Sequence, residues 1–468
     1  MNLNPVNRRT FFDRVGDGLY GIGLSSLLIQ DLYGEKPHHS APLPTNTKPR
    51  KSHFAPKSRA VIQFCMQGGP SQVDLFDPKP ALEKYHGKDA PEEFTKVAPA
   101  GRSMKGKVMR SHWKFAQYGQ SGAWVSELLP HTAKEIDQIA IIRSMFNVHE
   151  NHEPACYKWQ SGETFPGHPT MGAWITYGLG SVNQNLPAYV VLADPNNKFA
   201  VNGVENWMSG YLPPLFQGTS IKSEGTPMLH LKPDYEEPAG VTAAKRNLIN
   251  ALDSLHKAKR PNQPVLDSRI ANYQMAARMQ VEATEALDVL REKEDTRAMY
   301  GIGEKETDNF GKRCLMARRL VERGVRFVQI YPQGQKWDNH SDIKTSLPAA
   351  CKESDKPCAA LLRDLRQRGL LDDVLVLWGG EFGRLPMAQG DYAKAGRDHG
   401  PSGFTNWMAG GGVKGGVVYG ETDDIGFGAV KDRVSIQDWH ATILHLLGMN
   451  HEKLYFDRNG LHERLTHT

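Results

Sequence analysis

Short, uninterrupted runs of apolar residues, separated by stretches of helical character, constrain the fold of this chain more than any other feature. The clearest runs are residues 60–66, 139–143, 188–192, 325–331, 374–378 and 404–408. The best helical stretches are residues 241–259, 266–296, 308–323, 356–370 and 438–447. Continuous Val, Ile and Leu runs that alternate with helices are typical of strands buried on both faces. We therefore predict an α/β fold, a mainly parallel sheet with helices on both faces.

The chain is long enough for a large core, and its charge is concentrated at one end. It has 468 residues, of which 39% are hydrophobic and 23% charged, and a formal net charge of +5. Residues 1–58 hold eight Lys or Arg against four Asp or Glu, which leaves the rest close to neutral. Because binding through phosphate neutralisation needs a basic surface, we expect no nucleic-acid partner.

Residues 59–468 are predicted to form one domain with a helical insertion at 241–323. Within this domain, residues 195–240 are rich in Gly, Pro and Asn and show little periodicity. Irregular segments of this length are uncommon in compact domains and are often functional. The segment is either a lid or substrate loop or a structural wrap over the sheet, and both interpretations stay open.

The amino-terminal residues have the features of a twin-arginine export signal. Asn7-Arg8-Arg9-Thr10-Phe11-Phe12 is followed by an apolar stretch at 19–29, which is too short to span a bilayer as a helix. We expect residues 1–30 to be a signal peptide and 31–58 a linker. The export machinery would then deliver the protein to the periplasm or the outside, and no other stretch suggests a stable membrane span.

Polar clusters rich in His and carboxylates adjoin the predicted strands. They are residues 67–74, 149–153, 337–342, 379–384 and 396–400. Open α/β sheets bind ligands at the carboxyl ends of their strands, so we expect these clusters to meet at one edge. Imidazole and carboxylate together suit a divalent metal such as zinc, manganese or iron. A lone histidine is more often structural than a ligand, so only convergence of several clusters would make a site.

Familiar motifs are excluded by their context. Residues 410–415 match G-x-G-x-x-G but do not open a helix, so they do not form a dinucleotide loop. His149 and His152 are one residue too close for the H-E-x-x-H pattern of zinc proteases. The five cysteines lack C-x-x-C spacing and support neither a zinc ribbon nor a disulfide scaffold. Cys351 and Cys358 either pair after export or are unrelated thiols.

Several stretches carry a family resemblance that runs nearly end to end. They are the twin-arginine start, Gly68-Gly69-Pro70-Ser71, Asp74-Leu75-Phe76-Asp77-Pro78, Glu381-Phe382-Gly383-Arg384, Gly396-Arg397-Asp398-His399 and residues 440–448. In these stretches the chain resembles the sulfatase-like family catalogued as domain of unknown function 1501. More remotely, residues 359–384 resemble the helix, strand and metal loop of sulfatases and other alkaline phosphatase superfamily enzymes. This resemblance implies an alkaline phosphatase-like fold and a metal-dependent ester hydrolase.

The resemblance also implies metal ligands at positions that match the superfamily in residue type. These positions are Asp338, His340, Glu381 and His399. Three other positions depart from the pattern. Gln67 stands where an Asp is expected, Phe382 replaces a His next to Glu381, and the nucleophile position falls near His152. The covalent mechanism of the superfamily therefore has no matching nucleophile.

From these residues we predict an exported metal-dependent hydrolase of sulfate or phosphate esters, including esters on a polysaccharide. The metal is zinc, manganese or calcium. Its predicted ligands are Asp338, His340, Glu381 and His399, with Asp74 as a further candidate.

Four basic side chains are predicted to serve the reaction. His149 and His152 complete the metal shell or act as general acid and base, because a His titrates near neutral pH. Arg384 and Arg397 either bind the anionic group of the substrate through paired donors or form salt bridges with neighbouring carboxylates. The carboxylates considered for those bridges are Glu381 and Asp398.

An alternative function is a non-catalytic, exported polysaccharide-binding protein on a phosphatase fold that has lost its nucleophile. The departures at Gln67, His152 and Phe382 motivate this alternative. Aromatic side chains such as Trp207 and Tyr211 would then be exposed and stack on sugars.

Overall fold

A mixed β-sheet is the centre of the fold in this computed structural model. The structure describes residues 46–95, 106–193, 201–223, 238, 240–260 and 263–467. In chain order the strands are β1 (Ala60–Cys65), β2 (Phe115–Tyr118), β3 (Ala123–Ser126), β4 (Ile139–Phe146), β5 (Tyr189–Ala193), β6 (Thr219–Lys222), β7 (Phe327–Ile330), β8 (Val374–Gly379), β9 (Gly383–Arg384), β10 (His399–Gly400), β11 (Phe404–Ala409), β12 (Val417–Tyr419), β13 (Glu421–Thr422), β14 (Ala429–Lys431), β15 (Val434–Ser435), β16 (Phe456–Arg458) and β17 (Leu461–Glu463). The helices are α1 (Gln72–Leu75), α2 (Ala81–Tyr85), α3 (Glu92–Thr95), α4 (His152–Ser161), α5 (Met171–Leu179), α6 (Val241–Ala258), α7 (Pro264–Leu287), α8 (Glu294–Met299), α9 (Asp308–Glu322), α10 (Ile343–Gln367) and α11 (Ile436–Leu446). The predicted signal peptide lies outside the described residues.

The sheet confirms the predicted fold class. Among the described residues it has nine strands in the order β12-β4-β11-β8-β1-β7-β5-β6, with β15 beside β4. β1 is parallel to β7 and β8, and β5 is parallel to β6 and β7. β11 is antiparallel to both β4 and β8. Because β11 is reversed, the residues before it lie at the same edge as the residues that follow β1, β4, β7 and β8.

Helices cover both faces of the sheet, as the alternation of side chains along the strands shows. Val190 and Val328 belong to the core that also contains Cys314 of α9. The preceding residues point the opposite way, since successive strand residues face opposite sides. Tyr189 and Phe327, with ring centroids 5.0 Å apart, lie against α5 on that second face.

Two helix boundaries differ from the prediction by more than three residues. α10 begins at Ile343, well before the predicted start at 356, and it contains Pro348 and Pro357. Proline normally ends or kinks a helix, so the sequence understates the length of α10. The predicted helix at 266–296 ends earlier, at Leu287. The side chain of Asp288 then accepts a hydrogen bond from the Leu290 N–H and begins a separate 3-10 turn.

The described part of the irregular segment, 201–223, packs against the sheet. Trp207, expected to be exposed, is only 4% exposed, and its ring lies 5.7 Å from that of Tyr331. Tyr211 is half-buried and stacks on Phe456 at 5.8 Å. Burial of a large apolar ring is favourable, which is the physical reason that the expectation of exposure was wrong for Trp207.

Two further sequence questions are answered by the helices. Cys351 and Cys358 are both free and buried in α10. Seven residues of helix separate their Cα atoms by roughly 10 Å, beyond the reach of a disulfide at about 7 Å. Among the residues that the structure describes, no helix is both long and apolar enough to cross a membrane.

Candidate metal centre

Four side chains from separate parts of the chain meet at the predicted edge of the sheet. They are His152, Asp338, His340 and His399, whose ligand atoms all lie within 4.8 Å of one another. The Asp338 Oδ1 atom is 2.9 Å from His340 Nε2, 3.2 Å from His152 Nε2 and 3.4 Å from His399 Nε2. The Nε2 atoms of His340 and His399 are 2.9 Å apart. Three imidazoles therefore surround one carboxylate oxygen.

Secondary structure places each of these side chains at the same edge. His152 is the first residue of α4, Asp338 and His340 lie between β7 and α10, and His399 lies in β10, just before the reversed strand β11. The loops also touch one another. A Cβ at Gly396 would overlap the backbone of the 339–341 segment, so glycine permits this close approach.

Each imidazole uses its other nitrogen to bond to the protein. His152 Nδ1 is 2.7 Å from Glu381 Oε1, and His399 Nδ1 is 2.7 Å from the backbone oxygen of Glu150. His340 Nδ1 bonds to Gln389 Oε1. Because all three partners accept hydrogen bonds, they favour a proton on Nδ1 and leave the Nε2 lone pairs directed at the centre. This is the arrangement that metal-binding histidines use.

Charge and burial act together on the centre. Burial opposes the charge of Asp338, but histidines that carry a proton on Nε2 as well as on Nδ1 donate to it in the metal-free protein, and together with the charge of Arg384 they hold its pKa well below the usual range. Burial also opposes the charge of His152, yet its hydrogen bonds to Asp338 and Glu381 raise its pKa to about 9. The hydrogen bond with Asp338 stabilises the protonated form of His340 and so raises its pKa. Burial lowers the pKa of His399.

Glu381, a predicted metal ligand, lies behind His152 rather than among the four ligand atoms. It is fully buried, and its Oε1 atom accepts hydrogen bonds from His152 Nδ1 and from the Gly68 N–H at 3.0 Å. The neighbouring Phe382 ring lies 4.9 Å from the His152 ring and 4.6 Å from the His399 ring. This part of the edge therefore contains an apolar ring where the superfamily pattern has a ligand.

Asp74 and Arg397 pair with each other instead of joining the centre. Both are fully buried, and Arg397 Nε and Nη2 donate to Asp74 Oδ2 at 2.7 Å and Oδ1 at 3.1 Å. Ser71 Oγ also donates to Asp74 at 2.6 Å. The remaining Arg397 N–H groups donate to the backbone oxygens of Met109, Arg110 and Leu385. The salt bridge foreseen for Arg397 exists, but its partner is Asp74.

Arg384 lies at the centre, but its donors are already engaged. It is fully buried and donates to the Asp338 carboxylate and to the Gly68 backbone oxygen. It also donates to the backbone oxygens of Gly69 at 3.2 Å and Arg397 at 3.0 Å. Arg384 therefore fixes the Asp338 carboxylate and adds a positive charge beside it.

The other sequence candidates have local roles. His149 is half-buried, and its Nδ1 atom accepts a hydrogen bond from the Asn151 N–H at 3.1 Å, outside the four ligand atoms. Gln67 accepts a hydrogen bond from the Val201 N–H at 3.0 Å, and its amide nitrogen is 3.6 Å from Cys156 Sγ. Gln389, which supports His340, was not anticipated because it belongs to no strand-end cluster.

Comparisons with known proteins give a family and several solved structures of low sequence identity. A sulfatase from Pseudoalteromonas sp. matches with a TM-score of 0.37 and 11% identity, over 84% of this chain and 68% of that one. A lipoteichoic acid synthase from Listeria monocytogenes matches at 0.35 and 10%, over 90% and 79%. The alkaline phosphatase of the Antarctic bacterium TAB5 matches at 0.32 and 9%, over 85% and 99%. No curated protein matches in sequence. The family model described as "Protein of unknown function (DUF1501)" matches residues 58–468, and the chain belongs to that family.

Proposed function

We propose that this protein is an exported, metal-dependent hydrolase of sulfate or phosphate esters. The observation that carries the proposal is the convergence of three imidazole Nε2 atoms on the Asp338 carboxylate, with each Nδ1 atom held by an acceptor. The resemblance to sulfatases and phosphatases in sequence agrees with this chemistry. Export is inferred from residues 1–30 alone.

The donor set indicates which metals fit. His152, His340, His399 and Asp338 offer three nitrogens and one carboxylate, a set that suits zinc, manganese or iron. Calcium takes oxygen ligands and is therefore disfavoured among the ions predicted from sequence. When bound, such a metal supplies Lewis-acid polarisation of an ester oxygen and lowers the pKa of water.

The residues around the centre position it and attract an anion. Glu381 orients His152, and Arg384 orients Asp338 through direct hydrogen bonds. The buried Arg384 guanidinium contributes a positive charge that favours an anionic ester. His340, with 36% of its side chain exposed, marks the side on which the centre opens to solvent. Substrate therefore approaches across His340.

Water, not a protein side chain, is the nucleophile that these residues support. His152 occupies the position near which a covalent nucleophile was expected, and its Nε2 atom is directed at the ligand set. We infer that water attacks the sulfur or phosphorus, the ester bond to the alcohol breaks, and the alcohol leaves with a proton. His149, three residues before His152, is the candidate donor of that proton.

The binding-only alternative has less support. That alternative required exposed aromatic side chains at Trp207 and Tyr211, and Trp207 is buried. The four candidate ligands and their hydrogen-bond acceptors are also intact, which argues against a site that has lost its function.

Elemental analysis and turnover test the proposal together. We expect the purified mature protein to contain stoichiometric metal and to hydrolyse p-nitrophenyl sulfate or p-nitrophenyl phosphate. His399→Ala should lose both properties. Folded protein that contains no metal would overturn the metal centre. Equal hydrolysis by the wild type and by His399→Ala would overturn the role of this centre in the reaction.

A further inference from the structure

A second cleft, built from residues other than the four at the metal centre, has the composition of a sugar-binding site. Its volume is about 580 Å³, within the range of small-molecule pockets. Three aromatic side chains line it, Trp113, Phe115 and Trp124, together with Lys79, Arg110 and Arg143. Carboxylates at its walls complete the lining.

The β2–β3 hairpin explains how the aromatic side chains come together. Gln117 pairs with Trp124, and Phe115 pairs with Ser126, so Phe115 and Trp124 lie on the same face of the hairpin. The opposite face carries the buried Val125 and packs into the core. Trp124 is 40% exposed although it is a large apolar side chain. The fold therefore holds an aromatic surface open to the cleft.

Apart from the exposed Asp424, the charged side chains of the cleft are matched, with one exception. Asp77 is bonded to Thr422 and is 3.1 Å from Lys79, and Glu83 pairs with Arg110 at 3.0 Å. Glu421 pairs with Lys431 at 2.5 Å, outside the lining.

Arg143 is the exception. Only 16% of its side chain is exposed, and its nearest carboxylate oxygen, on Asp77, is 3.7 Å away. Its Nε and Nη2 atoms are buried and have no hydrogen-bond partner within the described parts of the chain. A guanidinium whose charge is not matched by a close carboxylate is costly, so an anionic ligand that meets the exposed part of Arg143 in the cleft would be favoured.

We propose that this cleft binds a sugar ring that carries an acidic substituent, a sulfate or a carboxylate. A sugar ring has an apolar C–H face that packs on Trp and Phe, and hydroxyl groups that bond to carboxylates and cations at the walls. The positive charge of Arg143, part of whose side chain is exposed to the cleft, matches the negative charge of the acidic group. Neither feature alone selects this ligand class, but together they do.

The cleft is tied to the metal centre through a buried cation. Arg397 donates to the backbone oxygens of Met109 and Arg110, which precede Trp113, and it lies two residues before His399. The segment that carries Trp113 is thus anchored to the loop that carries His399, a predicted metal ligand. An acidic polysaccharide held in the cleft would therefore contact a wall that is rigidly connected to the centre.

Binding of three polymers to the purified mature protein tests the proposal. Isothermal titration with dextran sulfate, polygalacturonate and neutral dextran compares sulfate, carboxylate and no charge. We expect at least one charged polymer to bind more tightly than neutral dextran, and the tighter one identifies the substituent. Trp124→Ala should weaken that binding roughly tenfold. Tyr273→Ala, an exposed aromatic outside the cleft, is the matched control and should bind as the wild type does.

Arg143 is tested separately because its replacement affects folding as well as binding. Arg143→Gln should bind charged and neutral polymers alike, and Arg143→Lys, which keeps the charge without the fork, should retain part of the preference. Thermal unfolding confirms that each variant is folded.

Three results would overturn the proposal: no binding of any polymer, unchanged binding by Trp124→Ala, or loss of binding when a chelator removes metal. The last result would place the polymer at the metal centre. Loss of hydrolysis with unchanged polymer binding would instead support the cleft and leave the hydrolase to be judged on its own test.

Discussion

The half-buried candidate metal centre and the fully buried Asp74–Arg397 pair each surround one carboxylate with basic side chains, but their architectures differ. At the centre, three imidazoles meet one oxygen of Asp338. At the pair, both oxygens of Asp74 are met by the two parallel donors of one guanidinium. A carboxylate matched by such a fork is satisfied within the fold. A carboxylate surrounded by imidazoles whose outer N–H groups are held elsewhere has the arrangement of a metal-ligand set. The arrangement of the partners around each carboxylate, and not the residue type, distinguishes a structural ion pair from a candidate metal site.

Breaking the pair should produce the largest loss of stability. Arg397→Leu leaves the Asp74 carboxylate buried without its partner, and removal of one partner of a buried ion pair costs about 3–5 kcal/mol. Urea unfolding at pH 7 measures this loss. Folded Arg397→Leu should still bind metal, because Arg397 contributes no ligand atom.

The double variant Asp74→Leu with Arg397→Leu is the control for that prediction. Replacing both partners by apolar side chains removes the unpaired charge, so part of the lost stability should return. Loss of metal from Arg397→Leu without loss of stability would contradict the structural role of the pair.

Breaking the centre should have a different signature, because it removes the metal and the activity as well as lowering stability. Asp338→Asn keeps the shape of the side chain but removes the charge around which the imidazoles gather. Without the metal the transition state loses several kcal/mol of stabilisation, so hydrolysis of the p-nitrophenyl ester should decrease roughly a thousandfold. Elemental analysis should show that the metal is lost, and the unfolding midpoint of metal-free protein should fall, because the buried Arg384 loses its charged partner.

Asp342→Asn is the matched control for Asp338→Asn. Asp342 is exposed, lies four residues further along the same loop, and has a positive φ of 47° that Asn tolerates. It should retain full activity. If Asp338→Asn also retained its metal, the assignment of Asp338 as a ligand would be refuted.

The sequence predicts the sheet well because a strand buried on both faces must be apolar throughout, as β1 and β8 are. It also predicts that His and Asp residues at strand ends are candidates for one site. It does not distinguish Asp338 from Asp74, since the choice of partner depends on the direction of each side chain in three dimensions. The pairing of Gln389 with His340 depends on contacts between distant loops, which leave no local pattern in the sequence.

A histidine outside the centre should make the fold sensitive to acid. His440 is fully buried, and burial lowers its pKa to about 4. Its Nε2 atom bonds to the Trp159 backbone oxygen, and its Nδ1 atom has no hydrogen-bond partner in the described part of the chain. In the unfolded chain a His has a pKa near 6.5. The contribution of His440 to the free energy of unfolding should therefore be fully present above pH 6.5 and fall by about 3 kcal/mol as the pH decreases to 4.

Urea unfolding at pH 7 and pH 4.5 checks this prediction by comparison of variants. His440→Gln should lose less stability between the two pH values than the wild type, because the group that takes up a proton on unfolding is absent. His445→Gln, an exposed His of the same helix, is the control and should follow the wild type. An identical loss of stability in His440→Gln and the wild type would exclude His440 as the source.

The smallest predicted effect concerns the residue that lies between the two architectures, Glu381. It is fully buried, as Asp74 is, yet its partner is the proposed ligand His152 rather than a guanidinium. Glu381→Gln keeps an oxygen beside His152 Nδ1 but removes the charge that increases the basicity of the imidazole. Loss of such a supporting carboxylate weakens metal binding roughly 10–100-fold. Competition with a chelator measures this affinity.

Glu153→Gln is the matched control for Glu381→Gln, because Glu153 is exposed on the same helix as His152. It should leave metal affinity unchanged. If Glu381→Gln destabilised the fold and kept its metal affinity, Glu381 would belong with Asp74 among the structural carboxylates. If it weakened metal binding without destabilising the fold, the boundary of the centre would extend beyond its four ligands to the carboxylate that orients His152. Affinity and stability, measured on one variant, thus decide to which of the two architectures Glu381 belongs.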